Sequence, residues 1–313
     1  MLDSSLRVAC HGATTTREVR WHTLKPTPFD YASPRTVGEA VALLADEERE
    51  AKALAGGQSL IPMLNMRLAR PELLVDITRI PELGHLRVDT SGALRIGAAV
   101  RQSRAAADAS VRDGWPLLAA AVEQIGHPQI RGRGTVGGSL AHHDPAAELP
   151  SAALALDAAF VLTGPRGART VAAADFFVAT FATAVEPDEL LTEIVLPPLP
   201  AGHGWAWEEL ARRHGDFATV GVAVLLERDA ARETVSAARV VFCGVGPTPV
   251  RLRTAEEALV GGRIDEETLA AAAGAAHEGL TPSDDVHATA DYRRESAAHL
   301  LTRACVTAWE RTR

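Results

Sequence analysis

Hydrophobic positions change period several times along the chain, and each change marks an element. Val37, Ala40, Val41 and Leu44 follow helical spacing, and Thr36 with Glu39 supplies a T-x-x-E capping box before them. Residues 51–55 predict a short strand ending at Gly56-Gly57. Residues 60–68 predict a second helix that closes before Arg70-Pro71. The unbroken apolar run 73–77 predicts a buried strand. Residues 86–88 and 94–96 alternate around Thr90-Ser91-Gly92, a hairpin signal. A helix is predicted over 116–125. Residues 126–150 are rich in glycine, histidine and proline and read mostly as loop. A second hairpin is predicted from 160–163 and 169–171 around Gly164-Pro165-Arg166-Gly167. A strand at 190–196 then runs into Pro197-Pro198-Leu199-Pro200, which breaks the chain.

Beyond the prolines the pattern changes style. Residues 205–210, 218–226 and 237–245 predict three strands in succession. Helices are predicted at 254–260, with a second T-x-x-E cap at Thr254 and Glu257, at 265–277 and at 291–311. The last carries Leu300, Leu301, Ala304, Cys305 and Ala308 on one face. Strands followed by helices predict a small α+β domain with a three-stranded antiparallel sheet. The chain divides on this reading into a polar extension (1–24), a first domain (25–200) and a C-terminal domain (201–313), α+β throughout.

Composition narrows the function classes. With 313 residues, 47% hydrophobic and 23% charged, the chain has the balance of a globular protein with room for two domains. Aromatic residues are 4%, so aliphatic side chains must build the core. A formal charge of −8 speaks against nucleic acid as partner, because phosphate neutralisation needs a basic surface. The cysteines are Cys10, Cys243 and Cys305, with no C-x-x-C, so the chain cannot supply four thiolates to an iron–sulfur cluster or a structural zinc. No apolar run reaches the ~18 residues of a membrane span. The first residues carry no apolar signal core, and the expected location is the cytoplasm.

Two loops carry the candidate chemistry. The first, Ala55-Gly56-Gly57-Gln58-Ser59-Leu60, places two glycines and a hydroxyl at a helix start. It reads either as an anion-binding nest of backbone amides or as a tight turn with Ser59 as N-cap. The second runs from Arg131 to Ser139 and contains a literal G-x-G-x-x-G at Gly132, Gly134 and Gly137, with Asp157 twenty residues on. A dinucleotide fingerprint needs a strand before it and a helix immediately after; here a helix and His127-Pro128 precede. The better reading pairs Thr135-Val136-Gly137-Gly138-Ser139 with the first loop, so that two Gly-Gly loops cradle one pyrophosphate. His142-His143-Asp144 lacks further ligands at metal spacing and reads as surface or loop histidines. Asp144 and Glu148 either complement a helix dipole or accept hydrogen bonds from ribose or adenine. Arg131 and Arg133 face phosphate or water. Arg212-Arg213-His214 forms a basic cluster before Gly215-Asp216-Phe217, and Cys243 reads as a core thiol. No nucleophile elbow, P-loop or catalytic dyad is present.

Lys52 to Leu60, Pro128-Gln129-Ile130-Arg131, Gly134 to Ser139, Thr163-Gly164-Pro165, Gly202-His203-Gly204 and Gly215-Asp216-Phe217-Ala218-Thr219 together resemble the FAD-binding medium subunits of the molybdenum hydroxylase (xanthine dehydrogenase) family. The aerobic carbon monoxide dehydrogenases are the nearest branch. The resemblance implies a two-lobed FAD domain of the vanillyl-alcohol-oxidase (PCMH) type, with a C-terminal domain over the flavin. It implies that Lys52, Ala55, Gly56, Gly57, Gln58, Ser59, Leu60, Thr135, Gly137, Gly138 and Ser139 hold the pyrophosphate. Asp144 and Glu148 would then lie near ribose and adenine, and Leu190 and Phe217 near the isoalloxazine. It further implies electron transfer from iron–sulfur clusters through FAD to an external acceptor. The implied partners are a molybdenum-cofactor large subunit and a two-iron two-sulfur small subunit, in a dimer of heterotrimers. A stand-alone FAD-dependent oxidoreductase of the same fold is the alternative. The sequence departs from the carbon monoxide enzymes at Gln58, where they have His, and at Phe217, where they have Tyr. Ser139 stands where the family often has Asn, and His142-His143 replaces smaller polar residues.

Overall fold

The computed structural model describes residues 25–312; the polar extension 1–24 with Cys10, and Arg313, lie outside the described residues. The chain first builds a small parallel layer. Asp30–Ala32, Leu73–Asp76 and Ala51–Leu54 form a three-stranded parallel sheet with Leu73–Asp76 in the centre. Parallel strands need crossovers, and helices Val37–Leu44 and Leu60–Asn65 provide them. The central strand is covered, which is why it reads as a continuous apolar run. Val37–Leu44 is capped as its sequence predicts, with the Glu39 amide donating to Thr36 Oγ1 at 3.1 Å. The far end of the box closes on the Arg35 amide, which donates to the Glu39 carboxylate.

A five-stranded antiparallel sheet follows, in the order Leu86–Val88, Leu94–Gly97, Leu190–Leu196, Ala159–Gly164, Gly167–Ala172. Both predicted hairpins are its edges. Pro116–Gln124 and Glu148–Ala155 belong to its core, where Leu94, Ile96, Leu117, Leu149, Phe160 and Phe176 are fully buried. The region 126–150 is not mostly loop. It folds into Pro128–Arg133, Val136–His142 and the start of Glu148–Ala155. Glycine and proline lower helix propensity, but packing overrides it: a Cβ on Gly137 would lie 2.5 Å from Ala98 Cβ, so this helix needs its glycine to seat on the sheet.

The C-terminal sheet is antiparallel, with strands Gly204–Leu210, Val220–Asp229 and Thr234–Cys243 in order. The expected three strands gain a fourth, the two-residue Val250–Arg251 at the edge. It forms where the chain returns to the sheet before helix Arg253–Leu259. That helix is not capped by Thr254: its N-cap is Leu252, without a side-chain bond. Glu256 rather than Glu257 is the structural carboxylate, buried and accepting from the Val240 amide at 3.0 Å and from Arg251 Nε at 2.7 Å. Glu266–Gly279 is capped by Asp265, and Ala290–Glu310 buries Leu300, Leu301, Ala304, Cys305 and Ala308.

The two halves share core. Along Val220–Asp229, Val222, Val224 and Leu226 pack with the C-terminal helices. Ala223 and Leu225 instead join the core of the five-stranded sheet. Period-two alternation thus sends one strand's side chains into two cores, and the run Val-Ala-Val-Leu-Leu is apolar because both faces are buried. Among the described residues no helix is long and apolar enough to cross a membrane.

Gly204 begins this sheet beneath the last helix, where an added Cβ would fall 1.8 Å from the Ala308 carbonyl oxygen. Gly204→Ala should cost about 1–3 kcal/mol or more through forced backbone shifts. Gly274→Ala, on an exposed helical position with open space around it, should gain roughly 0.5–1 kcal/mol. Denaturant titration of the two variants checks both signs.

Candidate cofactor site

The two glycine loops meet backbone to backbone. An added Cβ on Gly56 would stand 2.5 Å from the Arg133 carbonyl oxygen and 2.7 Å from Gly134 Cα. A Cβ on Gly138 would stand 2.7 Å from Thr135 Oγ1 and 3.2 Å from Ala55 Cβ. Gly57 has φ +72°, a left-handed conformation that glycine adopts without strain. Gly56 is therefore the point of loop–loop contact, and Gly57 is the pivot that turns the strand Ala51–Leu54 into helix Leu60–Asn65.

The loops differ in what their amides do. In the second, Val136 N donates to Val100 O at 2.9 Å, Gly137 N to Ala98 O at 3.1 Å and Gly138 N to Thr135 Oγ1 at 3.0 Å. The first two fasten helix Val136–His142 to the segment that follows strand Leu94–Gly97, and the third is its own N-cap bond. Thr135 is its N-cap, and Ser139 lies inside it rather than ending a loop. Gln102 N also donates to Gly134 O at 2.9 Å. In the first loop, no hydrogen bond among the described residues engages the amides of Gly56, Gly57, Gln58 or Ser59. Ser59 is helical in its backbone, and its hydroxyl makes no capping bond. The Gln58 side chain folds back, Nε2 donating to Gly56 O at 3.1 Å. Four consecutive amides with no protein acceptor, at a contact between two glycine loops, fit an anionic group such as a pyrophosphate. Lys52 is exposed on the adjoining strand, close enough to His142 for its charge to help depress that imidazole's pKa, which burial depresses most.

The remaining candidates lie in differing surroundings. His143 is not a surface histidine: it is fully buried, the left-handed C-cap of Val136–His142 with φ 48°. Its Nδ1 faces two carbonyls, Ala179 O at 2.8 Å and Ala182 O at 3.1 Å, so this nitrogen carries the proton. Burial holds the ring neutral. His142 lies 5.0 Å from the Phe181 ring. Among the described residues there is no His/Cys/Asp/Glu group that could hold a metal. Asp144 precedes helix Glu148–Ala155 in a turn, accepting from Ala146 N at 2.9 Å. Leu190 is buried with Ala40, Val41 and Leu73 in the small-layer core, whereas Phe217 is 64% exposed. Arg133 is exposed, but Arg131 is used internally: its Nη1 donates to Ile125 O at 2.8 Å and Gly126 O at 2.9 Å.

Glu148 is electrostatically perturbed. It is 4% exposed at the start of its helix and faces the C-terminal sheet. Burial pushes its carboxyl up to about 8, and repulsion from Glu209 and Asp144 adds to the rise. Burial likewise pushes Glu209 up to about 7, against the opposing hydrogen bond from Trp207 Nε1 at 3.1 Å. Cys243 is raised by burial and by the same two carboxylates. Sequence reading missed Glu209, because its partner lies sixty residues away in another domain. It also missed the Gly126-His127 turn, on which Gly215 sits with room for no Cβ: one would lie 2.9 Å from Gly126 O and from the His127 ring.

Two family models match the chain: the FAD binding domain in molybdopterin dehydrogenase over residues 27–199, and the CO dehydrogenase flavoprotein C-terminal domain over residues 205–308. The carbon monoxide dehydrogenase medium chain of Hydrogenophaga pseudoflava is 42% identical, over 91% of this chain and 99% of that protein. The 6-hydroxypseudooxynicotine dehydrogenase complex subunit alpha of Paenarthrobacter nicotinovorans is 41% identical, over 93% of this chain and 97% of that protein. The solved structure of carbon monoxide dehydrogenase from Hydrogenophaga pseudoflava lacking the Mo-pyranopterin moiety contains a chain with TM-score 0.88 and 43% identity, covering 92% of this chain and 99% of that one.

Glu148 sets a pH dependence. In the folded chain its proton is held up to about pH 8, whereas its ordinary value is 4.5. Between those values the folded state keeps a proton that the unfolded state releases, so stability falls as pH rises through the window. Glu209 acts in the same direction up to about pH 7. The cofactor-free chain should lose stability, on the order of a few kcal/mol, between pH 5 and pH 8. Glu148→Gln should flatten most of that slope, which thermal melts across the range would measure.

Proposed function

Because the chain belongs to the family of FAD-binding subunits of molybdenum hydroxylases, we propose that it is the electron-transfer subunit of such a complex. It receives electrons from two-iron two-sulfur clusters on a small subunit and passes them to an external acceptor. Substrate is oxidised at the molybdenum cofactor of a large subunit, and the three chains form a dimer of heterotrimers in the cytoplasm. The functional division is a FAD domain (25–200) and a C-terminal domain (201–313). Cys243 and Cys305 are buried and unpaired, which fits a chain that leaves iron–sulfur clusters to its partner. The relatives at 42% and 41% identity bear names of different substrates. Near-equal similarity to both fits a subunit that does not choose the substrate.

The single observation that carries the reading is the first loop: free amides on Gly56, Gly57, Gln58 and Ser59, closed from behind by the second loop. In this reading those amides and Lys52 neutralise the pyrophosphate, with Ala55 and Leu60 bounding the loop. Thr135, Gly137, Gly138 and Ser139 form the opposing wall. Asp144 and Glu148 meet the adenosine half. Glu148, protonated in its buried setting, both donates and accepts a hydrogen bond there. Leu190 and Phe217 bound the flavin ring, Leu190 from the core and Phe217 from the C-terminal domain. FAD supplies the interconversion of one-electron and two-electron transfer. The protein's part is position and charge, so no acid–base residue is needed.

The purified chain should show a flavin absorption spectrum, and the released cofactor should be FAD and not FMN. Glu148→Ala should weaken FAD binding by about 1–3 kcal/mol, because it leaves the partners of a buried carboxyl unpaired. Co-expressed with neighbouring genes, the chain should purify with molybdenum and iron, and substrate should bleach the flavin only in the complete assembly. An isolated chain that turns over a small substrate by itself would instead be a stand-alone flavoenzyme, and a colourless chain that takes up no FAD would sink both readings.

A further inference from the structure

The segment carrying Phe217 has an unusual anchorage. It leaves the sheet at Leu210 and returns at Thr219, and the Thr219 amide closes the excursion by donating to Leu210 O at 2.8 Å. Between them Arg212, Arg213, His214, Asp216 and Phe217 are exposed. The loop is therefore held at its two extremes. Its tip, Gly215 with φ +87°, is seated on Gly126 and His127. Its base is held by Arg293 from helix Ala290–Glu310. The Arg293 Nη1 donates to Thr219 O and, at 2.8 Å, to Gly244 O, while Nη2 donates to Asp285 Oδ2 at 2.7 Å.

Arg293 is 6% exposed, and its Nε has no partner. Burying a guanidinium with one donor unmet is costly. What the planar fork gives in return is geometry: one nitrogen on two carbonyls and another on a carboxylate, which a single ammonium cannot reproduce. The second carbonyl matters as much as the first. Gly244 has φ +74°, a Cβ there would lie 2.5 Å from Thr219 O, and its amide donates to Pro145 O at 2.9 Å. Pro145 lies between Asp144 and Glu148. One buried side chain thus ties the base of the Phe217 loop to the segment that carries both carboxylates.

We propose that Arg293 is a positioning residue for the flavin, setting the Phe217 loop and the Asp144–Glu148 segment in fixed relation across the domain boundary. The role rests on the reading that FAD lies between these two segments. The test uses the full chain, loaded with FAD, as wild type, Arg293→Lys, Arg293→Met and Asp285→Asn. Circular dichroism and melting establish folding. Flavin fluorescence gives the Kd, and at saturating FAD the visible band shape and midpoint potential report the ring's surroundings. Arg293→Lys and Arg293→Met should bind FAD about tenfold or more weakly, with a band shape and potential moved toward free flavin even when fully loaded. Asp285→Asn keeps both carbonyl bonds and should stay within about twofold of wild type. A folded Arg293→Lys with wild-type affinity, band shape and potential would overturn the proposal. So would equal losses in Arg293→Lys and Asp285→Asn, which would mark a general role in stability. A wild-type chain that takes up no FAD would remove the flavin reading itself, a failure visible before any variant is made.

Discussion

Gly56 has no room for a side chain, and the candidate site depends on that. The carbonyl of Arg133 and the Cα of Gly134 occupy the volume that a Cβ would need. Two loops, from a parallel layer and from an antiparallel one, can touch only because both are stripped to backbone at the contact. The consequences are electrostatic as much as steric. Held from behind, the first loop keeps four amides without a hydrogen-bond acceptor among the described residues. The second loop spends its amides instead on the Val100 and Ala98 carbonyls and on its own Thr135 cap. One loop is fastened and the other is left receptive, although both show the same Gly-Gly signature.

The domain boundary is a second place where backbone economy and burial act together. The Val220–Asp229 strand feeds two cores, so the C-terminal sheet is a wall of the first domain's interior as well as the floor of its own. Glu148 and Glu209 interact on the first-domain side of that wall, in surroundings that favour their neutral forms. Burial disfavours the charged form of each, and Glu209 keeps one hydrogen bond, accepted from Trp207 Nε1.

Legibility in the sequence followed the range of the forces involved. Hairpins, the capping box at Thr36 and the buried face of Ala290–Glu310 are local patterns, and each was readable. The two loops were readable as a pair from their matching glycines, although the first alone left a tight turn as the other reading. The helices between 126 and 150 were not readable, because Gly137 is there to pack closely against Ala98, well upstream in the chain, rather than to open a loop. The Thr254 cap failed for a similar reason: Glu256 is drawn to Val240 and Arg251, and the helix starts where that bond requires. His143 read as a surface or loop residue; it does leave the helix as its left-handed C-cap, but carbonyls of a distant hairpin claim its ring and bury it. Glu209 left no sign in the sequence, since a carboxylate's burial depends on what folds over it.

The strand order of the five-stranded sheet has one more consequence. Leu190–Leu196 is the central strand and also the last of the five in the chain. Both hairpins leave the ribosome first, and neither can pair with the other until the middle is supplied. Native pairing there is non-local, so loop closure must be met before contacts reward it, which slows folding. Until that strand docks, each hairpin exposes an edge open to the wrong partner. Leu190 enters the small-layer core as the same strand begins, so docking also joins the parallel layer to the antiparallel one. The order of synthesis therefore leaves the union of the two layers waiting on the strand of that sheet that is made last.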